Sequence, residues 1–439
     1  MYEWLPLLLF VTVFVLILFG YPVAFTLGGV AVLFGLLTKG PELFFLLPLR
    51  INGTMQNFIL IAVPLFVYMG VMLERSGIAE RLLNSMAYLF GRVRGGLAIS
   101  VIVVGTLLAA STGIVGATVV TMGLLSLPTM LKRGYAPTLA TGTIASSGTL
   151  GQIIPPSIVL VLLGSVLNVP VGDLFLAALI PGVGLVMLYI LYIIVVAFTQ
   201  PERAPSLTAE ALAEFREQNV LRELITAFVL PMILILAVLG SILAGIASPT
   251  EAAGVGAFGA TLLTLGQRQL NLNVLQQVMR ETTHITCMVF VILMGATAFG
   301  LVFRDLGGDD YLIQTIEQAN LGAYGFLMLV MVIVFVAGFF IDFIEITFII
   351  VPIVAPIFQT MGVDLVWLGI LIAINLQTSF LTPPFGFALF YLKGVAPKEI
   401  TTGQLYRGIL PFVLAQIIML TLLMSFPEIV AWLPEQLKD

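Results

Sequence analysis

The sequence predicts an all-α polytopic membrane protein built from two inverted-topology repeats, each with five transmembrane crossings and one re-entrant hairpin. Three observations carry this. Of 439 residues, 60% are hydrophobic and 9% charged, with a mean hydropathy of +1.15, whereas a soluble domain carries about 25% charged residues. The charge-free run Ala136–Val169 is interrupted by Gly148-Thr-Leu-Gly-Gln-Ile-Ile-Pro-Pro-Ser157, and Leu381-Thr-Pro-Pro-Phe-Gly386 interrupts a second apolar stretch 228 positions later. Glycine and proline landmarks recur at that same spacing: Pro22 with Pro249, Gly70 with Gly295, Gly77 with Gly307, Pro128 with Pro356, Gly134 with Gly362 and Pro181 with Pro411, at offsets between 225 and 230.

The first half, residues 1–198, opens with the spans Trp4–Phe19 and Pro22–Leu37. The N-terminus lacks the basic region and cleavage site of a signal peptide, so the first span is expected to be retained. Pro41–Thr54, with Glu42 and Arg50, reads as a helix lying along the membrane surface. Asn57–Leu73 crosses again, completing the scaffold spans (residues 4–74), and Glu74–Gly95 reads as a polar loop. Gly96–Leu131 is too long for one span and too short for two. Ser111-Thr112-Gly113 near its centre leaves arms of about 15 residues, roughly 22 Å each, short of a core of about 30 Å. Arg92 and Arg94 precede it and Lys132-Arg133 follow it, so both ends fit one face and the segment reads as a hairpin (96–131). The broken helix 136–169 and the span 174–198 complete the half.

The hydrophilic stretch Thr199–Glu223 reads as a cytoplasmic surface-helix linker between the halves. The second half, 224–439, follows with Leu224–Ala244, an arm Gly266–Arg280 between Glu251–Leu265 and Thr283–Phe303, a hairpin Ala323–Met361, a broken helix Leu365–Val395 and Leu405–Phe426. Arg304–Gly322 reads as an acidic outer loop, and Glu251 as the cap of its helix. An odd number of crossings per half inverts the second half. Cytoplasmic loops are enriched in Lys and Arg. With the N-terminus outside, fourteen of the 18 basic residues fall inside and only Lys39, Arg50, Arg304 and Lys438 elsewhere.

Proline removes a backbone donor and bends the chain before it. Within a bilayer such a break must be buried in protein or line a watery cavity. Each break exposes carbonyls on one side and a helix N-terminus on the other, suited to a cation and an anion respectively. A single break is also what a kinked structural helix gives; a matched pair points to a binding site at the repeat interface. At the first, the Ser111 and Thr112 hydroxyls and the Gly113 carbonyl face carbonyls around Gly148, Gly151 and Ile154, oxygens that suit a hard cation such as Na+. Interhelical hydrogen bonding by Ser and Thr is the alternative. At the second, Asp342 is expected to face Gln377, Thr378, Ser379 and Thr382 as a cation ligand, because an acid near the bilayer centre is costly. Glu345 stands close by in sequence, with no firm place in the site. The helix starts at Pro156-Ser157 and Pro384-Phe385 would point at an anionic substrate, with Ser157, Gln377 and Phe385 as contacts. No arginine clamp is evident inside the membrane, and Lys393 reads as a helix-end charge.

Gly151-Gln-Ile-Ile-Pro-Pro-Ser157, Ser248-Pro-Thr-Glu-Ala-Ala253, Leu131-Lys-Arg-Gly-Tyr135 and Leu381-Thr-Pro-Pro-Phe-Gly386 together resemble the large membrane subunit of the tripartite ATP-independent periplasmic (TRAP) transporters, over essentially the whole chain. The resemblance implies about two Na+ sites: one using Thr112, Ile114, Gly151, Ile154 and Pro156, the other Asp342, Ser379, Thr382 and Pro384, largely through backbone oxygens. Ile114 stands where the family often has serine, so a side-chain ligand is missing there. The resemblance further implies an elevator mechanism in the bacterial inner membrane, a four-helix small membrane subunit, a periplasmic substrate-binding protein and an organic acid substrate.

The rival reading is a stand-alone Na+-coupled dicarboxylate or citrate carrier. Other classes find no support. There is no basic tract for nucleic acid and no phosphate-binding Gly-x-x-x-x-Gly-Lys-Ser/Thr loop. The one histidine, His284, reads as a helix-end residue without metal partners, and the one cysteine, Cys287, as a buried thiol, which leaves no catalytic constellation.

Overall fold

The computed structural model describes residues 4–208, 224–384 and 386–437, all helix, turn or irregular chain. The predicted linker helix falls mainly on 209–223 and Phe385 on the gap before 386, so both lie outside the described residues. The first half contains α1 (Leu5–Leu18), α2 (Val23–Thr38), a 3-10 segment Pro41–Leu46 leading into α3 (Leu47–Met55), and α4 (Phe58–Arg75). α5 (Ile78–Phe90), α6 (Gly96–Thr112), α7 (Val115–Lys132), α8 (Pro137–Thr149), α9 (Ile158–Leu167) and α10 (Val171–Thr199) follow. The second half contains α11 (Leu230–Leu243), entered through a π turn at Leu224–Val229, then α12 (Pro249–Gly266), α13 (Leu272–Asp305), α14 (Gly308–Gln318) and α15 (Ala323–Ala337). It ends with α16 (Phe343–Ile349), α17 (Val351–Thr360), α18 (Leu365–Leu381), α19 (Phe387–Val395), α20 (Thr402–Ser425) and α21 (Glu428–Gln436). Six helices among the described residues are each long and apolar enough to cross a membrane.

Several expectations need correction. The polar loop 74–95 holds helix α5, because Ile78, Ala79, Leu82, Leu83, Met86 and Ala87 repeat at helical spacing and are buried. The outer loop 304–322 holds α14 in the same way, burying Ile316. Both helices start after a left-handed glycine, Gly77 at φ 69° and Gly307 at φ 77°, a conformation that costs any other residue. The arm 266–280 and span 283–303 are not separate: α13 is one helix of 34 residues, about 51 Å long. His284 therefore lies inside a helix, and Cys287 is exposed. Glu251 does cap α12, in a reciprocal box with Ser248.

Segment α6–α7 returns to the face it leaves from. The Gly95 N–H donates to the Ala204 carbonyl at 2.9 Å, and the Ala136 N–H to the Arg203 carbonyl at 3.0 Å. One short stretch after α10 thus ties down both ends. Tyr135 closes the same junction: its hydroxyl accepts the Leu97 N–H at 3.2 Å, and burial pushes the phenol up to about 12. Segment α15–α17 behaves likewise, since its ends at Ala323–Tyr324 and Met361–Asp364 border one cavity of about 460 Å³ with Asp173 and Pro427. Asp173 begins α10 and Gln200 follows its end; α10 has 29 residues and is about 43 Å long. The ends of the two segments therefore lie at opposite ends of α10.

The outer helices interlock across the halves. α2 packs on α13 and α12 on α4, while α8 packs on α20 and α18 on α10. Close approach needs small residues: a Cβ on Gly295 would lie 2.5 Å from the Ala24 carbonyl oxygen. Ion pairs mark two ends of this frame, Lys39–Asp305 at 3.3 Å and Arg75–Glu281 at 2.8 Å.

Candidate binding site

α6 ends at Thr112, and Gly113 then takes φ 62°. That geometry turns the chain into Ile114 and the start of α7. The tip's hydroxyls are engaged locally. Ser111 Oγ donates to the Leu108 carbonyl at 2.8 Å, and Thr112 Oγ1 shares a hydrogen bond with Thr118 Oγ1 at 2.9 Å. The Ile114 carbonyl accepts from Thr118 Oγ1 at 3.2 Å. Opposite, α8 stops at Thr149, a single 3-10 turn spans Leu150–Gln152, and the chain is irregular to Ser157. Among the described residues, the carbonyls of Gly151, Ile154 and Pro156 accept no hydrogen bond. Proline at 155 and 156 removes two donors that a continuing helix would have supplied. Ser157 caps α9, accepting from the Leu160 N–H at 3.5 Å and donating to the Gln152 carbonyl at 2.8 Å.

Tip and break touch through backbone. A Cβ on Gly151 would lie 2.1 Å from the Ala109 carbonyl oxygen, and one on Gly148 would lie 2.4 Å from a Val119 methyl. Gly113 sits against Ile158 at the start of α9. The second half makes the same contact with the roles exchanged. There the glycine is on the hairpin, and a Cβ on Gly338 would lie 2.0 Å from Ser379 Oγ in the broken helix.

Asp342 begins α16. Its Oδ1 accepts the Phe343 N–H at 2.7 Å, while its own N–H donates to Glu345 Oε2 at 3.1 Å. Glu345 thus holds the tip in a capping box rather than standing apart from it. Thr378, Ser379 and Thr382 donate their hydroxyls to the carbonyls of Ile374, Leu376 and Thr378 at 2.7–2.8 Å. The Pro384 carbonyl accepts from the Tyr406 hydroxyl at 3.0 Å. Phe343 and Phe380 pack tip against break, with ring centres 6.4 Å apart and planes tilted by 55°.

Between the tips lies a cleft of about 530 Å³, bordered by Ile114–Ala117, Asp342 and Phe343, Phe380, Phe387 and Tyr391, and by Glu74, Arg75 and Glu281. Two expected substrate contacts do not border it. Gln377 is buried and its amide donates to Thr149 Oγ1 at 3.4 Å, the residue 228 positions earlier. Ser157 is likewise buried in its capping role. The sequence reading missed Glu74, Arg75 and Glu281, because charges at the end of an apolar run look like ordinary helix-end residues. Glu74 Oε1 accepts from Thr121 Oγ1 of α7 at 2.8 Å, and its Oε2 is buried without a hydrogen-bond partner among the described residues.

Comparison with known proteins fits this geometry. The sequence model for the family "Tripartite ATP-independent periplasmic transporter, DctM component" matches residues 10–429. The chain belongs to this family. Among its TRAP relatives, the C4-dicarboxylate large permease DctM of Pseudomonas aeruginosa is 30% identical over 394 residues, covering 89% of this chain and 90% of that protein. The sialic acid large permease SiaM of Vibrio cholerae is 30% identical over 417 residues, covering 95% of each. In fold, the chain is similar to the crystal structure of the YdaH transporter of Alcanivorax borkumensis. The TM-score is 0.64 at 15% identity, over 98% of this chain and 99% of that one. This TRAP permease is accordingly a multi-pass membrane protein of a transport system, and its relatives are transporter permeases.

Proposed function

We propose that the chain is the large subunit of a Na+-coupled TRAP transporter that takes up an organic acid anion by an elevator movement. A four-helix small subunit and a periplasmic substrate-binding protein would complete it. One observation carries the reading: two turned-back segments, with their ends at opposite ends of α10, bring their tips to one cleft, each tip packed on a helix break. Unbonded carbonyls at Gly151, Ile154 and Pro156 give the first break an all-oxygen donor set that fits Na+. Asp342, on the tip that meets the second break at Ser379 and Phe380, supplies a charged ligand there. A bound cation offsets carboxylate charge in the cleft, where Glu74, Glu281 and Asp342 outnumber Arg75. This chain's residues do the remaining work: Gly113 and Gly338 let tip and break close on each other, and the aromatic wall of Phe380, Phe387 and Tyr391 limits water around the substrate. The moving part comprises both hairpins and both broken helices; α1–α4 and α11–α13 form the fixed frame.

The test is uptake into proteoliposomes holding both membrane subunits, with the substrate-binding protein added outside and radiolabelled succinate or N-acetylneuraminate as probe. Uptake should need an inward Na+ gradient. Equal uptake with choline in place of Na+ sinks the coupling, and uptake by this chain alone favours the stand-alone carrier.

A further inference from the structure

Among the described residues, Arg75 is the only cation bordering the cleft, and it is held by Glu281 at 2.8 Å. Both side chains are partly open to solvent, at 45% and 31% exposure, so their pairing adds little to stability and can be exchanged. Glu281 comes from α13 and Arg75 from the end of α4, so neither belongs to the hairpins. The pair also borders a second open groove with Arg280, His284 and Cys287. A guanidinium matches the planar geometry of a carboxylate with two parallel donors. The acid now on Arg75 therefore occupies the place a substrate carboxylate would take.

We propose that Arg75 is the carboxylate-recognising residue of the cleft and that Glu281 is its built-in placeholder, displaced when an organic acid anion arrives. This rests on the proposed function above. It adds to the cleft's contacts with the anion one residue of the frame, Arg75 at the end of α4. The placeholder also keeps the guanidinium oriented when no substrate is present, so less ordering is needed on binding.

The experiment is equilibrium binding of radiolabelled succinate, N-acetylneuraminate and ectoine, in NaCl, to the full chain copurified with its small subunit in nanodiscs. Arg75→Gln should weaken binding roughly tenfold or more, by loss of a charged hydrogen bond. Arg75→Lys should recover part of it. Glu281→Gln should tighten binding by roughly threefold or more, since the competitor is gone while the arginine stays. A purely structural ion pair predicts the opposite for Glu281→Gln, namely weakening alongside Arg75→Gln. That result, or wild-type binding by Arg75→Gln, overturns the assignment. Failure of the wild type to bind any of the three acids in NaCl overturns the cleft as an organic-acid site, and the proposal with it. Gel filtration and melting of each variant confirm that it is folded.

Discussion

Asp342 caps α16 through its Oδ1 while its carboxylate borders the cleft, so backbone and cavity share one side chain. Asparagine caps a helix about as well as aspartate. Asp342→Asn is therefore expected to keep its melting temperature, with a stability change within about 1 kcal/mol, while Na+-driven uptake falls to near background. Wild-type Na+ dependence in that variant removes Asp342 from the cation site. Thr112→Ala should act more mildly, as a raised Na+ requirement for uptake, because Thr112 Oγ1 is already bound to Thr118; an unchanged Na+ titration would leave ligation to the backbone. Asp342 was legible in the sequence because an acid in an apolar run is conspicuous. Arg75 was not, since its place at the end of α4 looks like solvent. Gln377 was the converse case: α18 is buried nearly all round, so periodicity could not tell which side faces the cleft and which faces Thr149.

Between elements, the close contacts are where glycine decides the outcome. A Cβ on Gly70 of α4 would lie 2.2 Å from the Ser111 carbonyl oxygen and 2.4 Å from the Thr112 Cα. Backbone on both sides cannot give way, so Gly70→Ala should cost about 1–3 kcal/mol by overpacking and lower the melting temperature. Gly300→Ala meets nothing within 4 Å and should be neutral or stabilising by about 0.5–1 kcal/mol. Similar melting of the two variants would contradict the close packing at the tip. At the second tip, Gly338→Ala should destabilise, and adding Ser379→Gly should raise the melting temperature again, because the pair then copies Ala109 with Gly151. The breaks were readable from proline chemistry alone. Helices α5 and α14 were not, because the charges beside them outweighed a short apolar stripe.

At the scale of the molecule, the proposed entry of the two hairpins from opposite faces makes a labelling prediction. In a Cys287→Ser background, Tyr324→Cys and Lys132→Cys both place a thiol on exposed positions. A membrane-impermeant maleimide added to intact spheroplasts should label the first and spare the second until the membrane is opened. Labelling of both from one side would contradict the two-faced arrangement. In the sequence, the near-constant register of landmark residues points to this symmetry and the basic residues to its direction, and the labelling tests both. The interlocking of α2 with α13 and of α12 with α4 was hidden, because pairing between distant helices leaves no mark in local periodicity.

Thr149 and Gln377 occupy the same rung of the two halves, yet they touch each other. In a dimer of identical chains, a residue on the dyad can only meet its own copy. Two threonines are too short to bridge that gap and two glutamines would crowd it. Within one polypeptide the two positions can differ, so a long amide can meet a short hydroxyl there. A version of the chain made of two identical pieces would need a matched pair of intermediate length at this rung.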